Sequence, residues 1–192
     1  MAGAGIVRTF LAFEVEKSVH DRVVQMTGQF KHMDRNVRWV RPENAHVTIH
    51  FFGEVEQVNV PEIESIVEKA VEHISPFDVE VRGISAFPSL ERASVIWYGI
   101  VMPENLLAVY NAVRDGLMGK GLVEKLETRG YTPHLTAGRV KRRINSQLLQ
   151  ALRIHGRESF GTFTVDSLVL FKSTLSGSGR GPVYEKLSIF KL

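Results

Sequence analysis

The chain has no cysteine in its 192 residues. Disulfides, thiolate nucleophiles and cysteine-ligated zinc are therefore excluded, and the composition fits a reducing cytoplasm. No apolar run comes near the roughly 18 residues of a membrane-spanning helix, so no membrane association is expected. The start lacks the basic stretch and long apolar core of a secretory signal, and residues 9–13 read instead as a first strand. No linker or low-complexity segment divides the chain, which predicts a single domain over 1–192. His-Glu-x-x-His is missing. His46 and His50 lie about 13 Å apart along a strand at roughly 3.3 Å per residue, too far to share one ion, so neither a metal nor a cofactor is expected. There is no Gly-x-Ser-x-Gly elbow for a serine nucleophile. The glycine-rich run 176–181 lacks the Gly-Lys-Ser/Thr ending of a P-loop. It reads as a hairpin loop, or as a place where backbone amides and Arg180 meet a phosphate.

What remains is an ordinary globular composition, 44% hydrophobic and 23% charged, with a net charge of +3. Apolar alternation or clustering predicts strands over 9–14, 38–40, 46–52, 77–87, 95–101, 135–140, 162–171 and 183–190. A helical period appears over 17–33, 63–74, 104–120 and 147–153. Asn59 would cap the second of these helices, with Pro61 in its first turn. Leu106, Leu107, Tyr110, Val113 and Leu117 would form the apolar side of the third. The mixed order with short connections predicts an α+β fold with largely antiparallel sheet. Each half carries strand–helix units, which predicts two lobes with pseudo-twofold symmetry, one sheet in each, helices outside and a central cleft.

The feature that carries chemistry is a repeat. His46-Val47-Thr48-Ile49 returns 88 residues later as His134-Leu135-Thr136-Ala137. With 7 histidines in the chain, chance supplies well under one His-x-Thr triplet. Both copies follow a turn containing proline and run into a glycine, Gly53 or Gly138. Side chains alternate along a strand, so each histidine shares a face with the threonine two residues on. Two imidazoles facing one cleft can supply a proton donor and a proton acceptor near neutral pH, and two hydroxyls can hold a phosphate between them. A strained 2′,3′-cyclic phosphate suits such a pair, because its ribose leaving group needs a proton. His20, His32, His73 and His155 have no matching threonine and read as surface or helix residues. Arg139, Lys141, Arg142 and Arg143 follow the second copy, either as a solvated turn or as an approach surface for a phosphate backbone. Strict alternation turns Phe51 and Arg139 away from their histidines unless each strand twists or bulges.

These motifs resemble those of the 2H phosphoesterase superfamily, and within it the RNA 2′,3′-cyclic phosphodiesterases, historically called 2′-5′ RNA ligases. Arg8-Thr9-Phe10-Leu11-Ala12-Phe13 is similar to the opening strand of that family. Residues 39–55 and 132–140 are similar to its two histidine motifs, and 173–175 with 181–187 to its C-terminal segment. The resemblance implies metal-independent opening of an RNA terminal 2′,3′-cyclic phosphate to a 2′-phosphate, with a weak reversible 2′-5′ joining activity. It implies His46 and His134 as the acid–base pair, Thr48 and Thr136 as phosphate ligands, Arg139 as supporting cation and Phe51 as a stacking surface for the terminal base. The expected partner is RNA bearing such an end, tRNA fragments included, bound by a monomer in the cytoplasm. Two other readings stand beside it. One is a cyclic phosphodiesterase for a small nucleotide such as ADP-ribose 1″,2″-cyclic phosphate. The other is a non-catalytic module that holds RNA ends.

Overall fold

A computed structural model describes residues 5–120, 122, 130–175 and 181–192. Within them lie nine strands: β1 (Ile6–Glu14), β2 (Val37–Trp39), β3 (His46–Glu56), β4 (Phe77–Phe87), β5 (Val95–Val101), β6 (His134–Val140), β7 (Ser159–Val165), β8 (Ser167–Leu175) and β9 (Pro182–Lys191). Four helices accompany them: α1 (Lys17–Lys31), α2 (Val60–Val71), α3 (Glu104–Gly119) and α4 (Ser146–Ile154). The mixed antiparallel architecture matches the expectation. The strands form one sheet in the order β7-β4-β5-β6-β3-β1-β8-β9, with β2 beside β6. The two sheets expected, one per lobe, are thus halves of a single sheet, and they join at one residue pair, Val47 opposite Leu135. That narrow seam lets the halves curl apart and leaves the two histidine strands side by side at the centre.

The apolar patterns explain the packing. On α1, Val19, Val23, Thr27 and Phe30 are buried at helical spacing, and they press the helix against β7 and β2. Helices α2 and α3 pack on each other and cover the other half, α2 against β9 and α3 against β3. Helix α1, which follows β1 of the first half, therefore roofs the second half, while α3, between β5 and β6 of the second, roofs the first. On α3 the buried stripe is Leu106, Val109, Val113 and Leu117. Leu107, expected inside, is 39% exposed, because the stripe passes through Val109 instead. Asn59 does stand at the start of α2 but makes no side-chain cap bond, since a 3-10 turn at Gln57–Asn59 leads the chain in. The cap with a bond is Asn145, whose side chain accepts the Leu148 amide at 2.9 Å at the start of α4. The strand expected over 162–171 is two, broken at Asp166: β7 lies at one edge of the sheet, while β8 crosses to the far half beside β1.

Strand β1 is buried on both faces, as its unbroken run Thr9-Phe10-Leu11-Ala12-Phe13 requires. Leu11 and Phe13 join the main core beneath the helices, whereas Phe10 and Ala12 join a small second cluster with Val169, Phe171 and Tyr184 on the cleft side.

Candidate active site

Leu135 and Ala137 on β6, and Val47 and Ile49 on β3, belong to the helix-side core. His46, Thr48, His134 and Thr136 alternate with them and so face the cleft. Then both strands bulge at the same place. Ala12 of β1 opposes Thr48 and Leu11 opposes His50, so Ile49 is skipped. Trp97 of β5 opposes Thr136 and Ile96 opposes Gly138, so Ala137 is skipped. An inserted residue shifts the phase of alternation by one. Phe51 and Arg139, each five residues after its histidine, are thereby returned to the cleft face. Phe51 lies opposite Phe10, a cleft-side residue, and stays 55% exposed. His50 is turned the other way, onto Tyr110 of α3.

The histidines are held alike. Nδ1 of His46 lies 2.8 Å from the Asn44 carbonyl, and Nδ1 of His134 lies 2.9 Å from the Thr132 carbonyl. A carbonyl only accepts, so Nδ1 carries the proton in both rings and donates it two residues back. Each neutral ring then presents Nε2 as a bare acceptor, and each charged ring presents Nε2–H as a donor. Aromatic side chains wall both rings. Phe10, Tyr184 and Phe171 stand 4.8, 5.2 and 6.2 Å from His46 between ring centres. Phe87 and Trp97 stand 5.1 and 6.1 Å from His134.

Burial against these rings pushes the His46 imidazole below its ordinary value of 6.5. The Asn44 hydrogen bond and the Glu14 carboxylate oppose the shift, and the positive charge of His134 adds to it. The two imidazoles are thus near enough to repel each other when charged.

Arginines rim the site. The Arg8 guanidinium sits over the Phe51 ring, 4.8 Å from its centre. Burial raises the Tyr184 hydroxyl above its ordinary range, while the charges of Arg139 and Arg8 pull it down, so both guanidiniums lie within electrostatic range of this wall of the His46 ring. The Asn44 side-chain amide donates to the Pro182 carbonyl at 2.9 Å and so ties the start of β9 to the turn before His46. Lys141, Arg142 and Arg143 are exposed on the turn beyond β6. Arg180 and the glycine run 176–180 lie outside the described residues. Among the described residues no three His, Asp or Glu side chains come together as a metal site.

The aromatic walls and the two carbonyl anchors were not anticipated. The walls come from strands distant in sequence. Their one local signal is the unbroken apolar run of β1, which demands cover on both faces.

A family model described as LigT like phosphoesterase matches residues 13–97. The RNA 2′,3′-cyclic phosphodiesterase of Methanothermobacter thermautotrophicus is 30% identical over 187 residues, 97% of this chain and 99% of that protein. The protein of the same name from Methanocaldococcus jannaschii is 31% identical over 180 residues, 93% of this chain and 97% of the other. Two solved structures share the fold. TT0787 of Thermus thermophilus aligns with a TM-score of 0.82 at 24% identity over 96% of this chain and 97% of that one. E. coli LigT complexed with 3′-AMP aligns with a TM-score of 0.78 at 20% identity over 98% and 99%.

Proposed function

The chain belongs to the LigT-like family of 2H phosphoesterases and is a phosphoester hydrolase, and from that premise we propose that it opens the 2′,3′-cyclic phosphate at the end of an RNA chain to a 2′-phosphate. The observation that carries this reading is the matched anchoring of the two imidazoles, each with Nδ1–H on a carbonyl and Nε2 free for proton transfer. His46, kept neutral by burial, takes the proton of the attacking water on Nε2. The acid role then falls to His134, whose Nε2–H protonates the 3′-oxygen. The water oxygen–phosphorus bond forms as the phosphorus–O3′ bond breaks, leaving the phosphate on O2′. Thr48 and Thr136 donate their hydroxyls to the non-bridging oxygens, and Arg139 offsets the charge that develops there. Phe51, with Arg8 on one face, stacks the terminal base on the other.

A 5′-hydroxyl in place of water joins two RNA ends through a weak, reversible 2′-5′ linkage by the same proton transfers. No step calls on a metal. The RNA substrate is supported by the names of the relatives, and tRNA fragments with such ends fall within it, bound by the monomer.

The test is an oligoribonucleotide ending in a 2′,3′-cyclic phosphate, incubated with excess EDTA. The expected product is the 2′-phosphate, formed at the rate seen without chelator. A 3′-phosphate, or loss of activity with EDTA, overturns the reading. Turnover of ADP-ribose 1″,2″-cyclic phosphate in preference to the oligonucleotide transfers the site to a small nucleotide.

The state of His46 adds a pH dependence. As base it must be unprotonated, and its lowered pKa extends that form to more acid solution. The acid limb of kcat/KM is therefore expected below pH 6.5, the ordinary histidine value. A limb above 6.5 would reverse the two roles.

A further inference from the structure

The bulge in each histidine strand weakens the backbone beside a phosphate-holding threonine, because the inserted residue drops out of the ladder. In β6 the gap is closed by main chain: the Val40 amide donates to the Ala137 carbonyl at 2.8 Å. In β3 the backbone just before the skipped Ile49 has no such neighbour in β6, since β3 and β6 part after the single pair Val47–Leu135. There the Tyr131 hydroxyl donates to the Thr48 carbonyl at 3.0 Å.

Tyr131 is itself held on two sides. It lies three residues before His134, on the segment that enters the second motif. Its ring stacks on Tyr110 of α3 with centres 4.2 Å apart and planes 5° from parallel. Tyr110 stacks in turn on His50 of β3 at 4.5 Å and 3°. Nε2–H of His50 donates to the Tyr110 carbonyl at 2.8 Å, which closes a circuit from β3 through α3 and the second motif back to β3. The phenol is partly buried, and the loss of water around it beside Tyr110 pushes its pKa far above the ordinary range, so the hydroxyl remains a donor wherever the protein is folded.

Resting on the functional reading above, we propose that Tyr131 is a positioning residue of the two-histidine site: its hydroxyl, by holding the Thr48 carbonyl across the seam, sets the first threonine at its working distance from the second motif. It touches no substrate and acts through Thr48.

Tyr131→Phe removes the hydroxyl and keeps the stacked ring. Steady-state turnover of the cyclic-phosphate oligonucleotide, corrected for folded fraction by circular dichroism, is measured for wild type, Tyr131→Phe, Thr48→Ala and the double variant. A displaced threonine misaligns the transition state, so Tyr131→Phe is expected to lower kcat about tenfold with KM within about twofold of wild type. The double variant is expected to be no worse than Thr48→Ala, because the hydroxyl has nothing left to position. Losses that multiply, or a Tyr131→Phe kcat within about twofold of wild type, overturn the inference while the functional reading stands. A wild type that turns over no cyclic phosphate overturns both. A purely structural role lowers the folded fraction and leaves the corrected kcat unchanged, which counts against the proposal.

Discussion

His46→Ala and His134→Ala are each expected to lower kcat by about 10² to 10⁴, the usual share of one general acid or base. In the proposed mechanism both imidazoles transfer a proton in one displacement at phosphorus, so removing either blocks the same step. The double variant is accordingly expected to lose little more than the worse single one. KM should move far less than kcat, because the proposed phosphate ligands Thr48, Thr136 and Arg139 are left in place. The two variants should differ in pH behaviour. Without His46 the acid limb is expected to disappear, whereas the His134 variant should keep it. Single-turnover measurements across pH read all of this. Wild-type turnover in either variant removes the two-histidine mechanism, and an RNA-binding role without catalysis would then remain. Neither substitution should unfold the protein, since each ring is only partly buried and is anchored to a carbonyl at the mouth of a strand.

Gly138→Ala is expected to damage stability and catalysis together. A Cβ there would lie 2.7 Å from Val37 Cγ1, 3.0 Å from Trp39 Cε3 and 3.3 Å from the Arg38 carbonyl. Val37 is stiff and buried, so it cannot swing aside. Strands β2 and β6 must separate, at a cost of about 2 kcal/mol for an overpacked core. Gly138 is also the residue at which the second bulge ends. Moving it shifts Arg139, the cation of the proposed mechanism, and a further drop of about tenfold in kcat is expected on that reading. Gly28→Ala is the control. Nothing lies within 4 Å of the added methyl in the last turn of α1, so this variant should gain about 0.5–1 kcal/mol with unchanged activity. Denaturant melts and turnover of the two variants separate packing from chemistry. An active, stable Gly138→Ala protein would show that the strands accommodate the methyl.

The sequence disclosed those parts of the site that obey local rules. Alternation along a strand needs only neighbours two residues apart, so the shared face of His46 with Thr48, and of His134 with Thr136, was legible. The bulges were not, because a skipped residue is defined by the partner strand, and Phe51 and Arg139 accordingly stood on the wrong side of a strict alternation. The seam has the same cause. Nothing in Val47 or Leu135 announces that they form the one rung between two halves, so one sheet read as two. Leu107 and Val109 are equally apolar, and which of them α3 buries depends on the helix it meets. The break at Asp166 lacks glycine and proline, the usual signals of a turn.

The two halves mirror each other in space but not in time. A chain made from its N-terminus completes α1, β3 and the first histidine early, while β8, which pairs with β1, and β9 beyond it, which bring Phe171 and Tyr184 against His46, are made after the other described strands. Until they arrive, β1 is an apolar strand with one bare edge, the kind of edge that recruits stray strands. Contacts spanning nearly the whole chain also make for slow folding. The first histidine pocket is therefore completed only once β8 and β9 have been made. A chain cut short before residue 167 would leave a sticky edge where half of the active site should be.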